Sequence, residues 1–139
     1  MKTKFLLLIM IGVLAFSCDK VASTQEKLTG VWTIEKYTFI NYNSLSYIYP
    51  ATGYMSFGSC EGSLCYYDIF MEYNNGVPSE KYAYGNIELL DEEKFNLHRT
   101  NDDGTVTVLP NNRIILLTKD ELKLEFTDEI GLHILILEK

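Results

Sequence analysis

Leu28-Thr29-Gly30-Val31-Trp32-Thr33-Ile34-Glu35-Lys36-Tyr37-Thr38 is the stretch that decides the fold. A glycine can take the backbone angle that closes the end of a barrel, and a tryptophan two residues on supplies a large apolar plate whose indole N–H needs a nearby carbonyl. Gly30 and Trp32 therefore predict the entry of a first strand, residues 31–40, into a small antiparallel barrel. Neither face of that strand is clean. Trp32, Ile34, Thr38 and Ile40 share a parity with Lys36, while Val31, Thr33, Tyr37 and Phe39 share the other with Glu35. One inserted residue swaps the faces of a strand, so a bulge is expected at Glu35-Lys36.

Downstream the chain is almost entirely short alternating or aromatic and β-branched runs, broken by turn residues, and no helix is expected. Residues 54–59 and 65–73 predict a hairpin around Cys60-Glu61-Gly62-Ser63-Leu64-Cys65, and Asn74-Asn75-Gly76 is a strong turn signal. Further strands are expected at 80–90, with a bend or bulge at Gly85, and at 94–100, 105–109, 113–118, 121–126 and 131–138. In the cleanest, Leu122, Leu124 and Phe126 alternate with Glu121, Lys123 and Glu125, the pattern of one buried and one wet face. Residues 41–51, tyrosine-rich and ended by Pro50, read as a lid-like loop or an edge strand. Eight or nine such strands hide their edges best by closing, which predicts an all-β, up-and-down barrel of about eight strands.

Upstream, Lys2 and Lys4 precede an unbroken apolar run from Phe5 to Phe16, then Ser17 and Cys18. The run is shorter than the ~20 residues a membrane-spanning helix needs and has the basic flank of an export signal. Leu14-Ala15-Phe16-Ser17-Cys18 resembles the lipobox of bacterial lipoproteins, which implies a signal at 1–17, cleavage before Cys18 and lipid on that cysteine. Several acyl chains on one residue anchor a protein near-permanently, since each buried methylene contributes about 0.8 kcal/mol. Asp19 to Lys27 is polar and reads, with Cys18, as a tether to a domain at 28–139. Without Lys2 and Lys4 the formal charge moves from −7 to −9, and no basic stripe offers itself to nucleic acid.

A polar tether followed by Leu28-Thr29-Gly30-Val31-Trp32 resembles the lipocalin-like lipoproteins common in Bacteroidetes. Gly30-x-Trp32 matches the lipocalin Gly-x-Trp start, and Leu117-Thr118-Lys119-Asp120-Glu121-Leu122-Lys123-Leu124 is similar to that group's penultimate hairpin. The resemblance implies a lipid-anchored envelope protein, on the outer membrane, with Gly30 and Trp32 structural. It also implies a basic residue stacked on the tryptophan, yet the only arginines are Arg99 and Arg113. With roughly 110 residues, an eight-strand barrel of this kind is small enough to be filled by its own side chains.

All ten tyrosines lie between Tyr37 and Tyr84. Tyr42, Tyr47, Tyr49 and Tyr54 are the candidate ligand-binding residues, each a flat apolar face with a polar tip at the barrel mouth; the competing reading is cross-strand packing. Cys60 and Cys65, a pair in an exported chain, predict a disulfide. No metal site is expected: the cysteine spacing is not a tight knuckle, His98 falls on a wet face, and His133 shares a face with Leu135 and Leu137 as a core residue. Asp91-Glu92-Glu93, Asp102-Asp103 and Asp128-Glu129 sit in predicted turns, where solvated carboxylates make poor catalytic acids. No nucleophile motif is present, no cofactor is implied, and an enzyme is not expected. Two functions follow: a small amphiphile or glycan held at the mouth, or a filled barrel meeting another envelope component through an outer patch along Ile114 to Leu117.

Overall fold

The computed structural model describes residues 20–139, so the predicted signal and Cys18 lie outside the described residues. Nine strands follow one another: β1 Gly30–Asn41, β2 Ser46–Tyr49, β3 Ala51–Glu61, β4 Leu64–Asn74, β5 Pro78–Leu89, β6 Lys94–Thr100, β7 Val106–Leu117, β8 Glu121–Thr127 and β9 Gly131–Glu138. From β3 onward each pairs antiparallel with the next, and β9 returns to β1 from Thr33↔Glu138 to Asn41↔Gly131. β2 and β3 act as one stave broken at Pro50, which has no N–H to give a ladder. β3 holds the lower part of β1 through Gly30↔Phe57, and β2 holds the upper part through Tyr37↔Tyr49. The result is the expected closed eight-stave, up-and-down barrel, in which residues 46–49 are a strand rather than a lid.

The expected bulge is present. The β1–β9 register shifts between Ile34 and Lys36, leaving Glu35 as the extra residue. Trp32 and Ile34 face inward below it and Tyr37 above it, while Glu35 and Lys36 both meet water. Gly85 marks the bend expected in β5: its φ is +154°, and a Cβ there would lie 1.9 Å from the His98 carbonyl oxygen. Cys60 and Cys65 oppose each other across the β3–β4 ladder and are joined as a disulfide.

Two expectations are corrected. Residues 105–109 and 113–118 are not separate strands, because β7 runs straight through Pro110. Asn111, at φ +64°, carries a bulge there, and the buried Asn112 side chain stitches it by donating to the Leu109 carbonyl at 2.6 Å and accepting the Thr127 N–H at 3.1 Å. Residues 20–27, expected as part of the polar tether, form a helix, α1, together with Leu28, expected as the start of the barrel domain. Val21, Thr24 and Leu28 fall at i, i+3 and i+7, so one narrow stripe turns to the barrel, with Leu28 only 1% exposed.

Helix α1 seals one end. The Trp32 indole N–H donates to the Leu28 carbonyl at 2.7 Å, which satisfies one of the carbonyls a helix C-terminus leaves free. Trp32 is fully buried, and the Lys139 ammonium sits 4.5 Å above its ring while donating to the carbonyls of Lys27 and Thr29, each at 3.0 Å. The basic residue that the arginines do not supply is thus Lys139, immediately after β9. At the outer corner of α1, Gln25 donates to the Gly62 carbonyl and Lys20 pairs with Glu92 at 3.0 Å.

Candidate functional site

With one end plugged, the interior communicates with solvent at the other, where the turns β1–β2, β4–β5, β6–β7 and β8–β9 gather. A cavity of about 40 Å³ is lined by a collar of Tyr37, Lys81, Arg99 and Asp128 and by an apolar wall that includes Met55, Ile69, Met71 and Leu135. Most of the barrel is therefore filled by its own side chains. Strand parity explains the collar: Ile87 and Leu89 point inward on β5, so Gly85, Ala83 and Lys81 do too, and on β6 Phe95 and Leu97 carry Arg99 with them.

Of the four tyrosines singled out from sequence, the structure brings two together. Tyr49 opposes the inward Tyr37 and Tyr47 opposes Phe39, so both line the inner wall of the mouth, stacked on each other with ring centroids 6.1 Å apart. Tyr73, from β4, extends this wall at 6.0 Å from Tyr49 and 5.5 Å from Tyr37. Tyr42 sits on the rim turn with its hydroxyl donating to the Asp128 carbonyl, which ties two rim turns together. Tyr54 is not at the mouth: it shares the outer face of β3 with Ser56, beside Phe70 at 6.3 Å.

Below the rim, His133 is 1% exposed, as expected of a core residue beside Leu135 and Leu137. Its Nδ1 accepts the Tyr37 hydroxyl at 2.8 Å, and its ring stacks on Phe126 at 4.9 Å. On the other side Nε2 is 3.0 Å from Asp128 Oδ1, but the N–H direction misses that oxygen, so the contact is electrostatic rather than a well-formed hydrogen bond. This arrangement suits the tautomer with the proton on Nε2. Burial holds the His133 pKa below its ordinary value despite Asp128. Asp128 is lowered as well: burial would raise it, but His133 and the Ile130 N–H outweigh that. A turn carboxylate thus does meet a titratable partner in the mouth, contrary to the reading of Asp128 as merely solvated. The Tyr37-His133-Asp128 chain is poorly set for nucleophilic work, since burial pushes the Tyr37 hydroxyl pKa upward, away from the activated form.

Three side chains that sequence reasoning passed over complete the site. Tyr67, 1% exposed and lining the cavity, has a hydroxyl with no hydrogen-bond partner among the described residues. Lys81 and Arg99 line the same cavity, and among the described residues neither has a carboxylate within ion-pair distance. Burial lowers the Lys81 pKa, and burial raises that of Tyr67 to about 12. Their signal was parity alone, counted back from Ile87 on β5, back from Phe95 through Leu97 on β6, and along Tyr67-x-Ile69-x-Met71 on β4. His98 lies on the outer face against Glu88 at 3.2 Å, and no cluster of metal-ligating side chains forms among the described residues.

No family model and no curated protein matches the chain. Two solved structures are similar to it. One is a redesigned β-barrel, with TM-score 0.55 and 14% identity over 84% of this chain and 94% of that one. The other is a fluorescence-activating β-barrel designed de novo, with TM-score 0.53 and 12% identity over 84% of this chain and 96% of that one. The likeness is one of fold: an antiparallel β-barrel.

Proposed function

We propose that this protein is a lipocalin-like binding module, held at a bacterial envelope by lipid on Cys18, that takes a small amphiphile or glycan at its mouth and catalyses nothing. The observation that carries this reading is the asymmetry of the barrel. One end is plugged by α1 and Trp32, while the other presents an aromatic wall of Tyr37, Tyr47, Tyr49 and Tyr73 above a small apolar recess. Flat faces with polar tips at a concave opening suit a ligand that is part apolar and part polar. Native mass spectrometry of the protein purified from its own envelope tests it. A co-purifying adduct is expected, lost in Tyr49→Ala and kept in Tyr54→Ala; retention in Tyr49→Ala would remove the mouth as the site.

A second reading has its own observation. Tyr54, Phe70 and Tyr82 form one row across β3, β4 and β5 on the outer face, with Tyr66 and Tyr84 flanking it, all partly exposed. A second envelope polypeptide would meet this aromatic platform, or the exposed Ile115 and Leu116 on β7, if the narrow interior held nothing. In the same spectra that outcome is a protein partner lost in Tyr82→Ala.

A further inference from the structure

We propose that the mouth selects an organic carboxylate with a short apolar body, its carboxylate held by Lys81, Arg99 and the Tyr67 hydroxyl. This inference rests on the mouth being the binding site and adds the chemical class of the ligand. Three hydrogen-bond donors from three adjacent strands, β4, β5 and β6, line one cavity, and among the described residues none of the three has an acceptor of its own. A buried hydroxyl without a partner is costly, and so is a shielded cation without a counter-charge. Both costs are removed at once by an acceptor that is anionic and carries two oxygens.

The sign of the site is set against the rest of the molecule. The chain carries a formal charge of −7, yet strand parity turns two half-buried cations, Lys81 and Arg99, toward one cavity. Asp128 is the one carboxylate lining this cavity, and it is engaged by His133 and by the backbone of Ile130 and Gly131; Asp102 shares a neighbouring open pocket with Lys81 and Arg99 but is not within ion-pair distance of either. It remains close enough to steady Lys81 electrostatically without pairing with it. Arginine presents a planar fork of donors matched to a carboxylate, and lysine a point charge that adjusts to the second oxygen.

The apolar lining fixes the remainder of the ligand. Met55, Ile69, Met71, Leu97, Leu124 and Leu135 offer no polar group, and about 40 Å³ accepts a few heavy atoms rather than a long acyl chain. The preferred ligand therefore places its anion against Lys81, Arg99 and Tyr67 and a short aliphatic or aromatic body against the apolar wall with its flexible methionines.

The test is isothermal titration calorimetry on the full chain in dodecylmaltoside micelles, with empty micelles subtracted. Butanoate, hexanoate and benzoate are compared with 1-hexanol, benzyl alcohol and inorganic phosphate. The carboxylates are expected to bind at least about tenfold tighter than the matched alcohols and phosphate, a hydrogen-bonded charge being worth that factor or more. Arg99→Met and Tyr67→Phe are each expected to weaken hexanoate about tenfold or more, with Trp32 emission and far-ultraviolet circular dichroism confirming the fold. Alcohols binding as tightly as carboxylates, unaffected by Arg99→Met, would overturn the assigned class while leaving a ligand-binding mouth. Phosphate binding as tightly as hexanoate would reduce the site to an anion hole and overturn the apolar body. No heat from any of these compounds would overturn the inference together with the reading of the mouth as a small-ligand site.

Discussion

Leu28→Ala separates a structural helix from a tether. Leu28 is the last residue of α1, 1% exposed, in contact with the core whose floor is Trp32. Truncating a buried leucine costs about 2–5 kcal/mol, depending on how far the surroundings collapse into the space. At the edge of the barrel α1 can settle inward, which places the expected loss near the low end, about 2–3 kcal/mol. Trp32 is the only tryptophan, so its emission reports this floor directly. In urea denaturation of the full chain, with a slope of about 1–3 kcal/mol/M, the midpoint should fall by roughly 1 M or more. Glu26→Ala, on the wet side of α1, should stay within about 0.5 kcal/mol. A Leu28→Ala midpoint indistinguishable from that of Glu26→Ala would show that α1 contributes nothing to the fold.

Gly85→Ala should destabilise by well over about 1–3 kcal/mol, since backbone strain is joined by overlap with the His98 carbonyl. Gly62→Ala, at φ +61° with open space around it, should lose only about 1–2 kcal/mol by the same denaturation. Reducing the Cys60–Cys65 disulfide, with its sequence separation of 5, should lower stability by about 2 kcal/mol, read as the midpoint difference with and without reductant. Acid should destabilise in two stages. His133, lowered in the folded state, resists a proton that the unfolded chain accepts, so stability falls as pH drops below about 6.5. Asp128, also lowered, contributes stability above about 3.8 that is lost as pH falls further. Urea midpoints from pH 8 to 5 should decline in the native chain and decline less in His133→Gln; equal slopes would contradict the assigned role.

Much of the barrel is legible because strands announce themselves by period and turn chemistry. Gly30, Trp32 and the broken parity of residues 31–40 already specify the plugged end and the bulge at Glu35-Lys36. Helix α1 escapes notice because its inward stripe is only three residues, one of them a threonine, in an otherwise polar segment. Pro110 misleads in the opposite direction: a proline followed by two asparagines has the chemistry of a turn, and tertiary pairing with β6 and β8 turns it into a bulge. The site residues are harder still. In Glu80-Lys81-Tyr82-Ala83-Tyr84 neither face is cleanly apolar, and the barrel turns Lys81 and Ala83 inward and leaves Tyr82 and Tyr84 facing water. Tyr54 is misassigned to the mouth for the same reason, since an exposed aromatic on β3 reads no differently from one turned inward. A strand's parity is fixed only once its neighbours are known.

Met55 and Met71 line the cavity, and their methyl groups offer the most direct view of whether the interior is the working surface. The measurement is methyl NMR of the full chain, labelled at methionine methyl and tyrosine ring carbons, titrated with the low-molecular-weight fraction of its own envelope extract. A site in the mouth predicts saturable shifts at Met55, Met71 and Tyr49 with the outer Tyr54 and Tyr82 unmoved. Shifts confined to Tyr54 and Tyr82, with both methionine methyls still, would contradict the mouth and assign the function to the outer face.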